Sequence, residues 1–146
     1  MVCLGNICRS PTAEVALRAE ATRRGVKLHV ESRGTSNEHR GQGADARSAR
    51  HALARGLDLS AHRARQVQAS DFEEFDLIYA MDHSNRRHLL AQCPDQHKGK
   101  IRMFLRDDAQ VPDPWFGGPA GFDEVLDMCA FASVCIVDEI EGSGGQ

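Results

Sequence analysis

Cys3-Leu4-Gly5-Asn6-Ile7-Cys8-Arg9-Ser10, continued by Pro11-Thr12-Ala13-Glu14, is the stretch from which the rest of this 146-residue chain can be read. Ser10 is placed to cap a helix, and Pro11 suits a first helical position, where its missing N–H removes no hydrogen bond. Small or apolar residues follow at Ala13, Val15, Ala16, Leu17, Ala19 and Ala21, which predicts a helix over 11–24 stopped by Gly25. A loop that runs into a helix N-terminus is an anion site. The amides of Leu4, Gly5, Asn6, Ile7, Cys8 and Arg9 can converge on phosphoryl oxygens, with Gly5 and Asn6 tolerating the positive φ such a nest needs. Arg9 adds a bidentate fork. The same positive field favours a Cys3 thiolate, and the Ser10 hydroxyl can donate to the sulfur. Cys3 therefore reads as a nucleophile aimed at a bound phosphoryl group.

Such a nucleophile needs a partner acid, because an alkoxide or phenolate leaves a phosphate ester only when its oxygen is protonated. About a hundred residues downstream stands Val111-Pro112-Asp113-Pro114-Trp115-Phe116-Gly117-Gly118. Asp113 lies between two prolines that restrict the backbone on both sides. Trp115 and Phe116 can flank an aromatic leaving group. The expected catalytic set is Cys3, Arg9 and Asp113. Leu4, Gly5, Asn6, Ile7, Cys8, Ser10, Trp115 and Phe116 are the expected substrate-binding residues.

On these two motifs the chain resembles the low-molecular-weight protein tyrosine phosphatases. Two further segments lie between them in the family's order, Leu57-Asp58-Leu59-Ser60-Ala61-His62-Arg63-Ala64-Arg65-Gln66 and Phe75-Asp76-Leu77-Ile78-Tyr79-Ala80-Met81-Asp82-His83-Ser84-Asn85. The resemblance implies a phosphocysteine intermediate on Cys3, phosphoryl oxygens held by Arg9, and Asp113 acting as acid and then base. It implies that Asn6 and Ser10 hold the loop, that Ser32 bonds the loop asparagine, and that Cys8 can form a disulfide with the nucleophile. It also implies that His62 pairs with the acid after the second strand, here Glu31 where aspartate is more usual, while Arg33 replaces a small residue. Members acting on phosphoarginine tend to carry Thr at the position of Ile7, so Ile7 favours phosphotyrosine. The implied partners are a phosphotyrosine protein or a small aryl phosphate, with inorganic phosphate as product and no cofactor. Arsenate reductases of the same fold are the alternative, but resembling chains carry a nearby pair of downstream cysteines and Cys93 stands alone. Members also carry a hydrophobic strand of about five residues before the nucleophile, where only Met1 and Val2 precede Cys3. The expectation is that an upstream extension raises the melting temperature.

Composition fits this reading. With 41% hydrophobic and 27% charged residues, the chain can bury one core, so a single domain over 1–141 is expected, with a flexible tail at 142–146. A net charge of −3 disfavours a nucleic-acid partner, and no apolar run is long enough to suggest a membrane partner or a signal peptide. Five cysteines without paired spacing, and histidines without His-x3-His, give no metal motif and suit the reducing cytoplasm.

Periodicity predicts helix 11–24, strand 27–30, helix 45–55, strand 77–81, helix 84–91, strand 101–105 and helix 122–140, with a short capped helix at Ser70-Asp71-Phe72-Glu73. In the last long helix Phe122, Val125, Leu126, Cys129, Ala132, Ile136 and Ile140 share one face. Segment 34–45 lacks either period and reads as a long loop. Alternating helices and strands predict an α/β fold, a four-stranded parallel sheet sandwiched by helices with its first strand largely missing. The Cys3 loop would lie at a strand's carboxyl end, where such sheets bind ligands.

Overall fold

The computed structural model describes residues 1–114 and 118–144. Four short strands form one parallel sheet in the order β2-β1-β3-β4: β1 (Val2–Cys3), β2 (Arg33–Gly34), β3 (Ile78–Ala80) and β4 (Ile101–Met103). Val2 and Cys3 pair with Arg33 and Gly34 on one side, and Val2 pairs with Ala80 on the other. β1 is thus an inner strand, and its two residues are buried on both faces, as inner parallel strands are.

Side chains alternate across the sheet and separate two apolar layers. On one face Cys3, Tyr79, Met81 and Phe104 pack with Leu17 and Ala21 of α1 (Arg9–Arg23) and with Val125, Cys129 and Ile136 of α5 (Pro119–Gly144). On the other, Val2, Ile78, Ala80 and Ile101 pack with Phe72 of α3 (Ala69–Glu74) and Leu89 of α4 (His83–Gln92). α2 (Ala46–Leu53) joins the α5 side through Ala52 against Leu126, and a 3₁₀ turn spans Asp95–Lys100. The face predicted for the last helix is the buried one: Phe122, Val125, Leu126, Cys129, Ala132 and Ile136 are buried, and Ile140 is packed against them.

Several boundaries differ from the sequence expectation, each for a local reason. The strand expected over 27–30 is not formed; pairing starts only at Arg33, opposite Val2, because a strand needs a neighbour to bond. α1 begins at Arg9 rather than Pro11. Its N-cap is Cys8 without a side-chain cap, since the Ser10 hydroxyl is turned inward to Cys3 and Asn6. Its end is as read, with Gly25 at φ +68° and the Val26 amide donating to the Ala21 carbonyl. α3 is capped by Gln68 and Asp71 rather than by Ser70 and Glu73. α5 continues through Gly142 and Ser143 to Gly144, three of the residues expected in the tail.

Candidate active site

β1 ends at Cys3 and α1 starts at Arg9, so the intervening loop wraps over the positive end of a 15-residue helix. Asn6 stands at its centre, fully buried and at φ +57°, a conformation that asparagine tolerates better than most residues. Every polar atom of its side chain is bonded. Nδ2 donates to Ser10 Oγ at 2.8 Å and Ser32 Oγ at 3.0 Å, while Oδ1 accepts from the Arg65 amide at 2.9 Å. Ser32 passes its own proton to Glu14 Oε1 at 2.7 Å, which orients its lone pairs toward Asn6. His62 Nε2 lies 2.6 Å from the Asn6 carbonyl oxygen and donates to it, pinning the peptide that follows this left-handed residue. The loop is also fastened from outside: the amides of Thr35, Ser36 and Asp45 donate to the carbonyls of Cys3, Leu4 and Ile7.

Cys3 Sγ lies 3.3 Å from the Asn6 amide and 3.0 Å from Ser10 Oγ. Both groups can donate to the sulfur; the Ser10 oxygen accepts from Asn6, and its proton faces the sulfur and, at 3.3 Å, the Arg33 carbonyl. Cys8 is chemically different. It packs with Ile7, Ala64 and Phe122, and burial pushes its thiol up to about 12 despite a hydrogen bond with Ser48. Two cysteines five residues apart therefore differ in their surroundings: the Cys3 sulfur has the Asn6 amide and the Ser10 hydroxyl beside it, whereas Cys8 has Ser48 and is otherwise packed among apolar side chains.

Arg9 is buried and held at one edge by Nη1, which donates to Asp82 Oδ2 at 2.6 Å and to the Val111 carbonyl at 3.1 Å. Burial works against its charge, but Cys3, Asp82 and Asp113 outweigh that and keep the guanidinium above its ordinary range. Asp82 is itself fixed as the N-cap of α4, where it accepts the Asn85 amide at 2.7 Å. Nη2 faces Asp113 Oδ2 at 3.8 Å across the mouth, and the Asp113 carboxylate keeps 43% exposure. A cavity of about 280 Å³ opens between them, lined by Cys3, the loop, Arg9 and Asp113, with Ser36, Glu38 and His39 at the rim.

The family profile described as low molecular weight phosphotyrosine protein phosphatase matches residues 1–141. The chain belongs to that family. It is 39% identical over 155 aligned positions to the low molecular weight protein-tyrosine-phosphatase of Streptomyces coelicolor, covering 97% of this chain and 94% of that one. The protein tyrosine phosphatase of Entamoeba histolytica, crystallised with Hepes in its active site, superposes with a TM-score of 0.92 at 38% identity, over 98% of this chain and 96% of the other. Vibrio vulnificus Wzb, solved with benzylphosphonate, superposes at 0.86 with 26% identity over 94% of each chain.

In this phosphatase most residues singled out from sequence meet at one cavity: Cys3, Leu4, Gly5, Ile7, Cys8, Arg9 and Asp113 all line it. Asn6 and Ser10, expected at the substrate, lie wholly buried behind the loop and hold it instead. Trp115 and Phe116 lie outside the described residues. The Ser32 contact implied by resemblance is made. The His62 pairing with Glu31 is not: His62 reaches the Asn6 carbonyl, and Glu31 instead faces His29, Arg33 and Arg65. Cys93 and Cys129 are buried in the two apolar layers and neither lines the cavity, and burial pushes the Cys129 thiol up to about 12. Neither is placed to serve as the resolving thiol of an arsenate reductase.

Two contributors escaped the sequence reading. Asp82 had a visible cap position before α4, but only the fold brings its second oxygen to Arg9. Asp82→Asn is expected to lower kcat/KM about 10- to 100-fold, the weight of one charge-assisted hydrogen bond. The loss should fall on both KM and phosphate inhibition in steady-state assays, because the role expected of Arg9 is to hold the phosphoryl group of substrate and product alike. Gly34 is the other. A Cβ there would sit 2.9 Å from the Leu4 carbonyl and 3.1 Å from Asn6 Cβ, so any side chain displaces the loop. Gly34→Ala is expected to cost about 1–3 kcal/mol of stability and at least about tenfold in kcat/KM. Gly99→Ala, with nothing within 4 Å, is the control that should change neither in urea melts and aryl phosphate assays.

Proposed function

We propose that this phosphatase hydrolyses phosphotyrosine and other aryl phosphates in two steps through Cys3. The loop amides and Arg9 take the phosphoryl oxygens. The Cys3 thiolate attacks phosphorus in line as Asp113 protonates the departing phenolate oxygen, so a P–S bond forms while the P–O bond breaks. A water then attacks phosphorus and gives its proton to the Asp113 carboxylate. The P–S bond breaks, inorganic phosphate leaves, and Ser10 and the Asn6 amide receive the sulfur as thiolate.

The observation that carries this reading is the Cys3 sulfur at the cavity floor with two donors on it and a charge-fixed Arg9 beside it. Leu4 at 54% exposure adds apolar surface at the mouth, and the benzylphosphonate bound by Wzb is an aryl ligand of the same kind. A phenyl ring spans the depth from rim to loop, whereas the short phosphoserine side chain brings its backbone against the rim. One domain over 1–141, in a reducing compartment such as the cytoplasm, suits five unpaired thiols.

The test is a substrate panel under reducing conditions: a phosphotyrosine peptide, its phosphoserine counterpart, phosphoarginine and arsenate with a thiol donor. Turnover of the phosphotyrosine peptide, with competitive inhibition by inorganic phosphate, is the expected result. Arsenate reduction without ester hydrolysis, or faster release from phosphoserine or phosphoarginine, would overturn it.

A further inference from the structure

The segment that carries Asp113 is fastened to one turn of the fold. After β4 the chain bends tightly at Arg106–Ala109, with Asp107 and Asp108 both at positive φ and the Ala109 amide donating to the Arg106 carbonyl at 3.2 Å. Residues 106–110 are exposed, and the chain then crosses the start of α4 on its way to Asp113. Met81, Asp82 and His83, where β3 passes into α4, hold what meets there. The Met81 carbonyl accepts the Val111 amide at 2.8 Å, Asp82 accepts from Arg9 at 2.6 Å, and the His83 amide donates to Gln110 Oε1 at 2.9 Å. Arg9 in turn donates to the Val111 carbonyl at 3.1 Å, so the acid segment and Arg9 share one anchor.

Val111 alone leaves the direction of the segment open. Its two bonds are backbone bonds at a single residue, and a chain held at one residue can still tilt about it. Beyond that point the chain is stiff: Pro112 and Pro114 have a locked φ, and Val111 and Asp113, each preceding a proline, have few conformations left. A stiff run transmits a tilt instead of absorbing it. At ~3.3 Å per residue, a tilt of about 10° at Gln110 displaces a group three residues on by about 1–2 Å. Misplacement by about 1 Å can cost about a hundredfold in rate. Gln110 supplies the second point of attachment. Its oxygen meets the first amide of α4, one of the donors a helix leaves without an internal partner. The other contact on this side, His83 Nε2 to Asp108 Oδ2 at 3.5 Å, joins side chains 34% and 73% exposed, and ion pairs in such surroundings hold little.

We infer that Gln110 is a positioning residue of this phosphatase: through the His83 amide it fixes the tilt of the acid segment and so sets where the Asp113 carboxylate stands at the mouth. The inference rests on Asp113 being the acid proposed above. Gln110 does not line the cavity, so its effect reaches the reaction only through the carboxylate, as protonation of the leaving oxygen and later activation of water.

The experiment compares Gln110→Ala, Gln110→Glu and Asp113→Asn with the parent, reading kcat/KM for phenyl phosphate and for p-nitrophenyl phosphate together with inhibition by inorganic phosphate. This ratio reports formation of the phosphocysteine, in which phenolate needs a proton to leave and nitrophenolate does not. Gln110→Ala is expected to lower kcat/KM for phenyl phosphate about tenfold, while p-nitrophenyl phosphate and the phosphate inhibition constant stay within about twofold of the parent. Gln110→Glu keeps an acceptor for the His83 amide and should restore phenyl phosphate to within about twofold. A merely structural role would slow both substrates alike, so an equal fall overturns the inference. So does an unchanged rate on phenyl phosphate, or a Gln110→Glu variant as impaired as Gln110→Ala. Selectivity in Asp113→Asn with none in Gln110→Ala overturns this inference alone, whereas no selectivity in Asp113→Asn overturns the acid reading and the inference with it.

Discussion

Cys3→Ser is expected to lower kcat on an aryl phosphate by at least about 10⁴-fold while leaving the binding of inorganic phosphate within a fewfold of the parent. The two readouts separate because the site divides its work. Oxygens of a bound phosphate are expected to meet the loop amides and Arg9, which Asp82 and the Val111 carbonyl hold in place whatever stands at position 3. Bond making belongs to the sulfur alone. A serine hydroxyl in the same position is a far weaker nucleophile, and the Asn6 amide and Ser10 hydroxyl beside it supply no base. Cys3 has its carbonyl bonded to Thr35 and its side chain buried, so an isosteric replacement should melt within a few degrees of the parent. Phosphate binding followed by calorimetry and hydrolysis followed in parallel make the comparison. Residual turnover above about 1% would show that another nucleophile works here.

Asp113→Asn should act selectively. For a substrate with a poor leaving group, such as phenyl phosphate or a phosphotyrosine peptide, formation of the phosphocysteine should slow by about 10²–10⁴-fold, the usual range for loss of a positioned acid. A nitrophenolate leaves without protonation, so the first step on p-nitrophenyl phosphate should change little. Return of water still needs the carboxylate as base, so the phosphocysteine should accumulate and give a burst of nitrophenolate. The geometry behind this is a carboxylate 3.8 Å from Arg9 Nη2 with its outer side open to the mouth. It is close enough to be oriented by the guanidinium and exposed enough to meet both a leaving oxygen and water. Equal slowing of both substrates would remove Asp113 from the acid role.

Residues 3–10 and Pro11 were sufficient to read a helix-terminated anion loop, because the positive φ at Asn6, the amide-rich turn and the helix behind it are encoded within a dozen neighbouring residues. Alternation of helices with strands also foretold a parallel α/β sheet, the strands at β3 and β4 and the buried face of α5, since the periods of strand and helix are set by backbone geometry alone. What failed was of another kind. The strand expected at 27–30 has the right side chains and no pairing, because β1 reaches it only at Arg33. Ser10 has every mark of an N-cap, yet its hydroxyl is turned inward to Cys3, Asn6 and the Arg33 carbonyl, partners that only the fold brings to it.

The sequence by itself singled out Cys3, Arg9 and Asp113 as the expected nucleophile, phosphoryl-binding arginine and acid, because each is a residue type whose setting is fixed locally by a loop, a helix end or a pair of prolines. Only the tertiary structure decided what holds them. Asp82 arrives from α4, Val111 from the acid segment, Ser32 and Gly34 from around β2, and His62 from the loop after α2. These contacts join residues up to 102 positions apart. No local period or motif records such separations; they exist because a parallel sheet gathers the carboxyl ends of its strands at one edge.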